Sequence, residues 1–123
     1  MATIRVLVCD DVAAFRALMR YTLQEDPDIE VVGEAADGIA AVEAAAELQP
    51  DVVLLDVSMP LLDGIDAIPA VLERAPGTRV VALSGFGADR MAEAAIAEGA
   101  FSYLEKTDNV QSVRDAVHAA AAA

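Results

Sequence analysis

Short, almost unbroken apolar runs alternate along this chain with longer stretches in which apolar residues recur at helical spacing. The runs at residues 3–9, 30–35, 51–56, 79–84 and 101–105 read as strands. The first four are so rich in Val, Ile and Leu that they suit strands covered on both faces, where no polar alternation is needed. Between and after them, residues 13–25, 38–48, 65–75, 88–98 and 109–121 read as helices. Phe15, Leu18, Met19, Thr22 and Leu23 set the spacing of the first, and Gly99 supplies a C-cap to the fourth. Pro69 falls inside the third, where it is tolerated in the first turn and otherwise kinks the helix.

Turn chemistry agrees with these boundaries. Asp26-Pro27-Asp28, Gln49-Pro50-Asp51 and Pro76-Gly77 each precede a strand. Strands alternating with helices imply an α/β domain, with one parallel sheet carrying helices on both faces and right-handed crossovers. The length of 123 residues fits one domain. No internal repeat or linker interrupts it; the tail Ala119–Ala123 is the one low-complexity segment.

Composition narrows the function. The chain is 56% hydrophobic but only 4% aromatic, so Val, Leu, Ile and Ala must fill the core. No apolar stretch reaches the ~18 residues of a membrane span, and no signal peptide is visible. Cys9 is the only cysteine, which excludes an internal disulfide and suits a cytoplasmic setting as a small buried strand residue. The net charge of -13 opposes nucleic-acid phosphates, and the arginines form no cluster, so direct nucleic-acid binding is not expected. Most acidic residues read as solvated surface.

The exceptions stand where apolar runs end. Asp10-Asp11 ends the first, Asp56 the third, Ser84 the fourth and Lys106, the only lysine, the fifth. In an open parallel α/β sheet ligands bind at that carboxyl edge. If the first and third strands are neighbours, Asp10, Asp11 and Asp56 converge. At ~5 Å and an effective dielectric of ~20, each like-charged pair costs roughly 3 kcal/mol. A hard divalent cation removes that repulsion, and Mg2+ suits a few carboxylates plus water. Capping of the first helix is the competing reading of Asp10-Asp11, although one Asp suffices for a cap. Lys106 could equally be a plain salt-bridge partner. With Ser84 and the unobstructed amide of Gly85, however, it offers donors suited to phosphoryl oxygens. A carboxylate beside Mg2+ can accept a phosphoryl group itself.

Taken together, these segments resemble the receiver domain of two-component response regulators. The resemblance rests on Val6-Leu7-Val8-Cys9-Asp10-Asp11, on residues 51–60 from Asp51 through Asp56 to Met59-Pro60, and on Asp63-Gly64. It extends through Val81-Ala82-Leu83-Ser84-Gly85 and Ala100-Phe101-Ser102-Tyr103-Leu104-Glu105-Lys106, covering essentially residues 1–123 as a receiver domain. It implies a flavodoxin-like, doubly wound sheet of five parallel strands in the order 2-1-3-4-5, with five helices.

By the same resemblance, Asp56 is the phosphoacceptor, served by a histidine kinase or phosphotransfer protein. Asp11 ligates Mg2+ directly and Asp10 through water, with Asp56 and the Ser58 carbonyl completing the protein ligands. Ser84, Gly85 and Lys106 contact the phosphoryl group. Ser84 and Tyr103 form the switch, remodelling a face for a downstream protein, an attached output domain or a second copy of the chain. The activity implied is self-phosphorylation and dephosphorylation in a signalling relay, not turnover of a small substrate.

Certain positions depart from the commoner pattern. Thr107 follows Lys106 where many receivers have proline, and a cis peptide there costs ~3–4 kcal/mol without one. Ser84 replaces the more frequent threonine, while Ser58 and Phe86 flank the expected phosphoryl position. Ser84-Gly85-Phe86-Gly87 reads as a mobile loop. Tyr21, Phe15 and Phe101 read as packing residues, and His118 as an exposed helical residue. A flavin-binding protein of the same fold class would need a phosphate loop after the first strand, where Asp10-Asp11 repels phosphate. An aspartyl-phosphate phosphatase favours nucleophile and metal aspartates on one strand, and here they fall on two.

Overall fold

A computed structural model of the chain describes residues 3–57, 64–85, 89–106 and 109–123. Five strands, β1 (Ile4–Cys9), β2 (Ile29–Ala35), β3 (Val52–Asp56), β4 (Arg79–Ser84) and β5 (Ser102–Glu105), alternate with five helices. These are α1 (Ala13–Gln24), α2 (Gly38–Leu48), α3 (Gly64–Arg74), α4 (Asp89–Ala97) and α5 (Val110–Ala122). All pairings are parallel, in the order β2-β1-β3-β4-β5. The order expected from the resemblance is therefore the one observed, and predicted boundaries agree within one or two residues.

The side-chain period of two sorts the sheet into two cores. Val6, Val8, Val52, Leu54, Val81 and Leu83 face α1 and α5, where Met19, Leu23, Val113 and Val117 meet them. Leu7, Cys9, Val53, Leu55, Val80 and Ala82 face the opposite side, against Ala41, Ala45, Ala67, Ile68, Val71 and Ala95. Every β3 residue is buried, which explains why the strand reads as an unbroken apolar run before it reaches Asp56.

Local chemistry sets the element ends. Asp37 caps α2 by accepting from the Ala40 amide at 2.8 Å, and Asn109 caps α5 through Ser112 in the same way. Gly99, at φ +115°, lets the chain turn out of α4. Gln49 ends α2 in the left-handed region, and its side-chain amide donates to Ala46 and, across the gap to α3, to Arg74. Pro69 lies beyond the first turn of α3, on its exposed side, and the helix continues through it to Arg74.

Two aromatic expectations are corrected. Tyr21 is 69% exposed and Phe101 40%, so neither fills the core. The two cores are built of aliphatic side chains without them. Phe15 does pack, against the core on the α1 side. His118 is only partly exposed, because its ring reaches Asp26 at 2.8 Å.

Candidate functional site

Because β1 and β3 are neighbours, with Cys9 opposite Leu55, Asp10 and Asp56 emerge side by side at the carboxyl edge. Asp10 and Asp56 are buried and Asp11 is exposed. Each of the three offers a carboxylate oxygen within 4.8 Å of the others. Convergence of the three aspartates, inferred above from strand ends, is thus present.

Neither aspartate of the pair caps α1. The N-cap is Val12, whose apolar side chain makes no capping bond. Asp10 Oδ1 instead accepts from the Val12 amide at 2.8 Å, closing a turn between β1 and α1. The amide of Asp10 donates to Ala35 in β2 at 3.0 Å. Its carbonyl accepts from Arg16 Nη1 at 2.7 Å.

Lys106 enters from the end of β5. Its amide donates to the Ser84 carbonyl at 2.8 Å. Its ammonium lies 2.6 Å from Asp10 Oδ2 and 3.1 Å from Asp56 Oδ2. The Phe15 ring covers the other side of this ammonium, its centroid 4.8 Å from Nζ. Burial alone would lower the pKa of Lys106, but bonding to Asp10 and Asp56 outweighs it and the pKa is raised. Burial is also the main influence on Asp10, whose carboxyl is held above its ordinary range despite the Lys106 and Val12 bonds. Burial likewise pushes the Cys9 thiol upward, making it a packing residue and not a reactive one.

Ser84 is buried at the end of β4, and its hydroxyl is hydrogen-bonded to the Tyr103 hydroxyl. Ser84 Oγ also donates to the Gly85 carbonyl at 3.1 Å, and in the Ser84–Tyr103 bond either hydroxyl can be the donor. Gly85 is exposed, with open space where a side chain would be. Ser58, Asp63, Phe86, Gly87 and Thr107 lie outside the described residues, and so do Met59 and Pro60. The expected carbonyl ligand and the Lys106-Thr107 peptide are among these positions.

The donor set fits a hard cation. It is all oxygen, it carries three negative charges against one ammonium, and one side is open through Asp11. Asp10 Oδ2 is wholly buried and has no aligned hydrogen bond, its close contact being the ion pair with Lys106. A buried carboxylate oxygen held by an ion pair alone keeps lone pairs that a cation or its bound water can engage.

Known proteins with this arrangement decide the family. Residues 6–118 match the response regulator receiver domain family. The chain belongs to this family. The receiver is 40% identical over 117 residues to the transcriptional regulatory protein LiaR of Bacillus subtilis, covering 95% of this chain and 56% of LiaR. It is 42% identical over 105 residues to a protein-glutamate methylesterase/protein-glutamine glutaminase of Thermotoga maritima, covering 84% of this chain and 30% of that enzyme. It therefore spans only part of the curated relatives it matches. Among solved structures, the signal receiver domain of the response regulator NarL from Mycobacterium tuberculosis superposes with TM-score 0.93 at 34% identity, covering 99% of this chain and 98% of that one. The response regulator domain of Thermotoga maritima CheB gives TM-score 0.89, also at 34% identity, with 98% of each chain covered. The receiver is thus a signalling switch of two-component systems.

Sequence reasoning missed residues around the receiver's acidic site. Arg16, five positions after Asp11, reads only as one polar residue of a helix. Glu34, which accepts from Arg16 Nε at 3.0 Å and from Arg20 Nε at 2.9 Å, reads only as surface charge. Phe15 shows its helical spacing but not the ammonium it covers.

Proposed function

We propose that Asp56 accepts a phosphoryl group from a histidine kinase or phosphotransfer protein, and that the aspartates at the edge of β1 hold the required Mg2+. In this reading Asp11 is a direct ligand, Asp10 acts through water, and Asp56 with the Ser58 carbonyl completes the set. The observation that carries it is the meeting of three carboxylates with one ammonium at the ends of β1, β3 and β5. When bound, Mg2+ supplies charge neutralisation for the acidic cluster and for the phosphoryl oxygens.

A carboxylate oxygen of Asp56 attacks phosphorus of the donor. The new P–O bond forms as the donor's bond to phosphorus breaks, and the leaving group takes that electron pair. Lys106 then exchanges part of its contact with Asp56 for the phosphoryl oxygens, and Ser84 with the Gly85 amide donates to the others. Drawing Ser84 toward them disturbs its bond to Tyr103, which carries the event to the surface around α4, β5 and α5. A downstream protein, an attached output domain or a second receiver reads that surface. The chain acts as a relay in which the covalent chemistry is confined to Asp56.

The test is incubation with a small phosphodonor and Mg2+, followed by intact-mass measurement. Wild type should gain one phosphoryl group, and Asp56→Asn none. Equal labelling of that variant would remove Asp56 from its role.

A further inference from the structure

Asp10 is held through its main chain as well as its carboxylate. Arg16 Nη1 donates to the Asp10 carbonyl at 2.7 Å, and the same guanidinium uses Nε to bind Glu34 Oε1 at 3.0 Å. Glu34 turns its other oxygen to Arg20 Nε at 2.9 Å. The Arg16 side chain is 19% exposed and that of Arg20 38%, so the inner guanidinium carries the contact to Asp10. Burial pushes the Glu34 carboxyl up, but its bonds to Arg20 and Arg16 outweigh this and its pKa is lowered, keeping it charged.

We infer that Arg16, oriented by Glu34, is a positioning residue for the cation site. It fixes the peptide joining Asp10 to Asp11, so that both carboxylates leave β1 toward the same edge. This inference rests on the proposed role of those aspartates as the cation site. The geometry is of the kind that tunes metal centres from outside. A planar guanidinium bridges a site-forming residue on one side and a carboxylate on the neighbouring strand on the other. Lysine at position 16 would present a point charge and could not bridge both acceptors in a plane.

Charge and positioning predict opposite signs, which makes the inference testable. Removing a cation near an acidic cluster should tighten divalent-ion binding, whereas releasing the Asp10 carbonyl should weaken it. Arg16→Met and Arg20→Met remove the same charge from the same Glu34 pair, but only Arg16 touches Asp10. Mg2+ affinity is measured by calorimetry on the unphosphorylated chain. The half-saturating Mg2+ for phosphorylation by a small phosphodonor is read separately from the rate at saturating Mg2+.

Arg16→Met should weaken Mg2+ binding by about tenfold or more, the usual effect of losing an outer partner of a metal site. Its rate at saturating Mg2+ should be largely retained. Arg20→Met should bind as wild type or slightly tighter, and Arg16→Lys should fall between Arg16→Met and wild type. Should Arg16→Met fold poorly, Glu34→Gln keeps Arg16 in place while loosening its orientation, and a weakening of Mg2+ binding is again expected. Equal or tighter Mg2+ binding by Arg16→Met, or by Glu34→Gln where the first variant does not fold, would overturn the inference. Asp11→Asn separates the two levels. If it too leaves Mg2+ affinity unchanged, the proposed cation site itself is wrong. If it weakens binding while Arg16→Met does not, only the role of Arg16 falls.

Discussion

The Lys106 ammonium lies closer to Asp10 than to Asp56, 2.6 Å against 3.1 Å, although Asp56 is the proposed acceptor. This ammonium is therefore a counter-ion shared by the two buried aspartates, Asp10 and Asp56, and its aligned hydrogen bond goes to Asp56.

Removing that counter-ion should deprive two buried carboxylates, Asp10 and Asp56, of the ammonium they share. With divalent ions chelated, Lys106→Met should lower unfolding stability by about 3 kcal/mol. That is the lower part of the usual range for breaking a buried pair, because the ammonium keeps some exposure. Added Mg2+ should restore part of the loss. Urea unfolding with and without Mg2+ measures both effects, and unchanged stability in chelator would mean that desolvation of the ammonium cancels its attraction.

Asp10 gives a prediction with a definite pH sign. Its folded pKa is raised above 3.8, chiefly by burial, so the neutral form favours folding and the ionised form opposes it. This contribution is fully present below pH 3.8 and is lost as pH rises through the folded pKa. In metal-free buffer Asp10→Asn should therefore be more stable than wild type at neutral pH. The advantage should shrink as pH falls through the raised pKa and vanish near 3.8. A gain that does not change with pH would assign the effect to packing instead.

The Ser84–Tyr103 bond joins β4 to β5 through two hydroxyls. A double-mutant cycle with Ser84→Ala and Tyr103→Phe should give a coupling of about 0.5–1.5 kcal/mol in the unphosphorylated protein. Phosphorylation should reduce that coupling as Ser84 turns to a new acceptor. Zero coupling in both states would separate the two residues and remove Tyr103 from the switch.

At the other end of the molecule, His118 on α5 bonds to Asp26 just after α1, and Arg114 donates to the Thr22 carbonyl nearby. The His118 bond leads the influences that lower the Asp26 pKa below 3.8. That stabilising contribution is present above pH 3.8 and is lost as pH falls through the lowered value. In His118→Gln the Asp26 carboxyl should titrate closer to its ordinary value, as followed by carbon NMR. Unchanged titration would place the shift on the Asp28 amide, which also donates to Asp26.

The sheet was legible because both of its faces are covered at the centre, so β3 and most of β1 and β4 had to be apolar and could break that pattern where they delivered chemistry. Asp10, Asp11, Asp56, Ser84 and Lys106 stood out for that reason. Their meeting required strand order, which the resemblance supplied and the pairing of β1 with β3 bears out. The contributions of α1 were not legible. Arg16 acts through a main-chain carbonyl and Phe15 through a ring face, and neither mode selects a residue pattern that periodicity can separate from ordinary helix. Tyr21 and Phe101 misled in the opposite direction, since a large ring in a chain poor in aromatics invites burial, and the aliphatic cores are built without them.

The completely buried β3 and the half-exposed β5 differ in a further way. Local opening takes little free energy at a sheet edge and approaches the cost of global unfolding at its centre. Asp56 is thus anchored to the part of the receiver whose amides should exchange with solvent last, while Tyr103 and Lys106 belong to an edge that can open without it. The proposed covalent event would be stored on a stationary support and reported by a strand that yields easily, so that signal and memory would have different stiffness within one sheet.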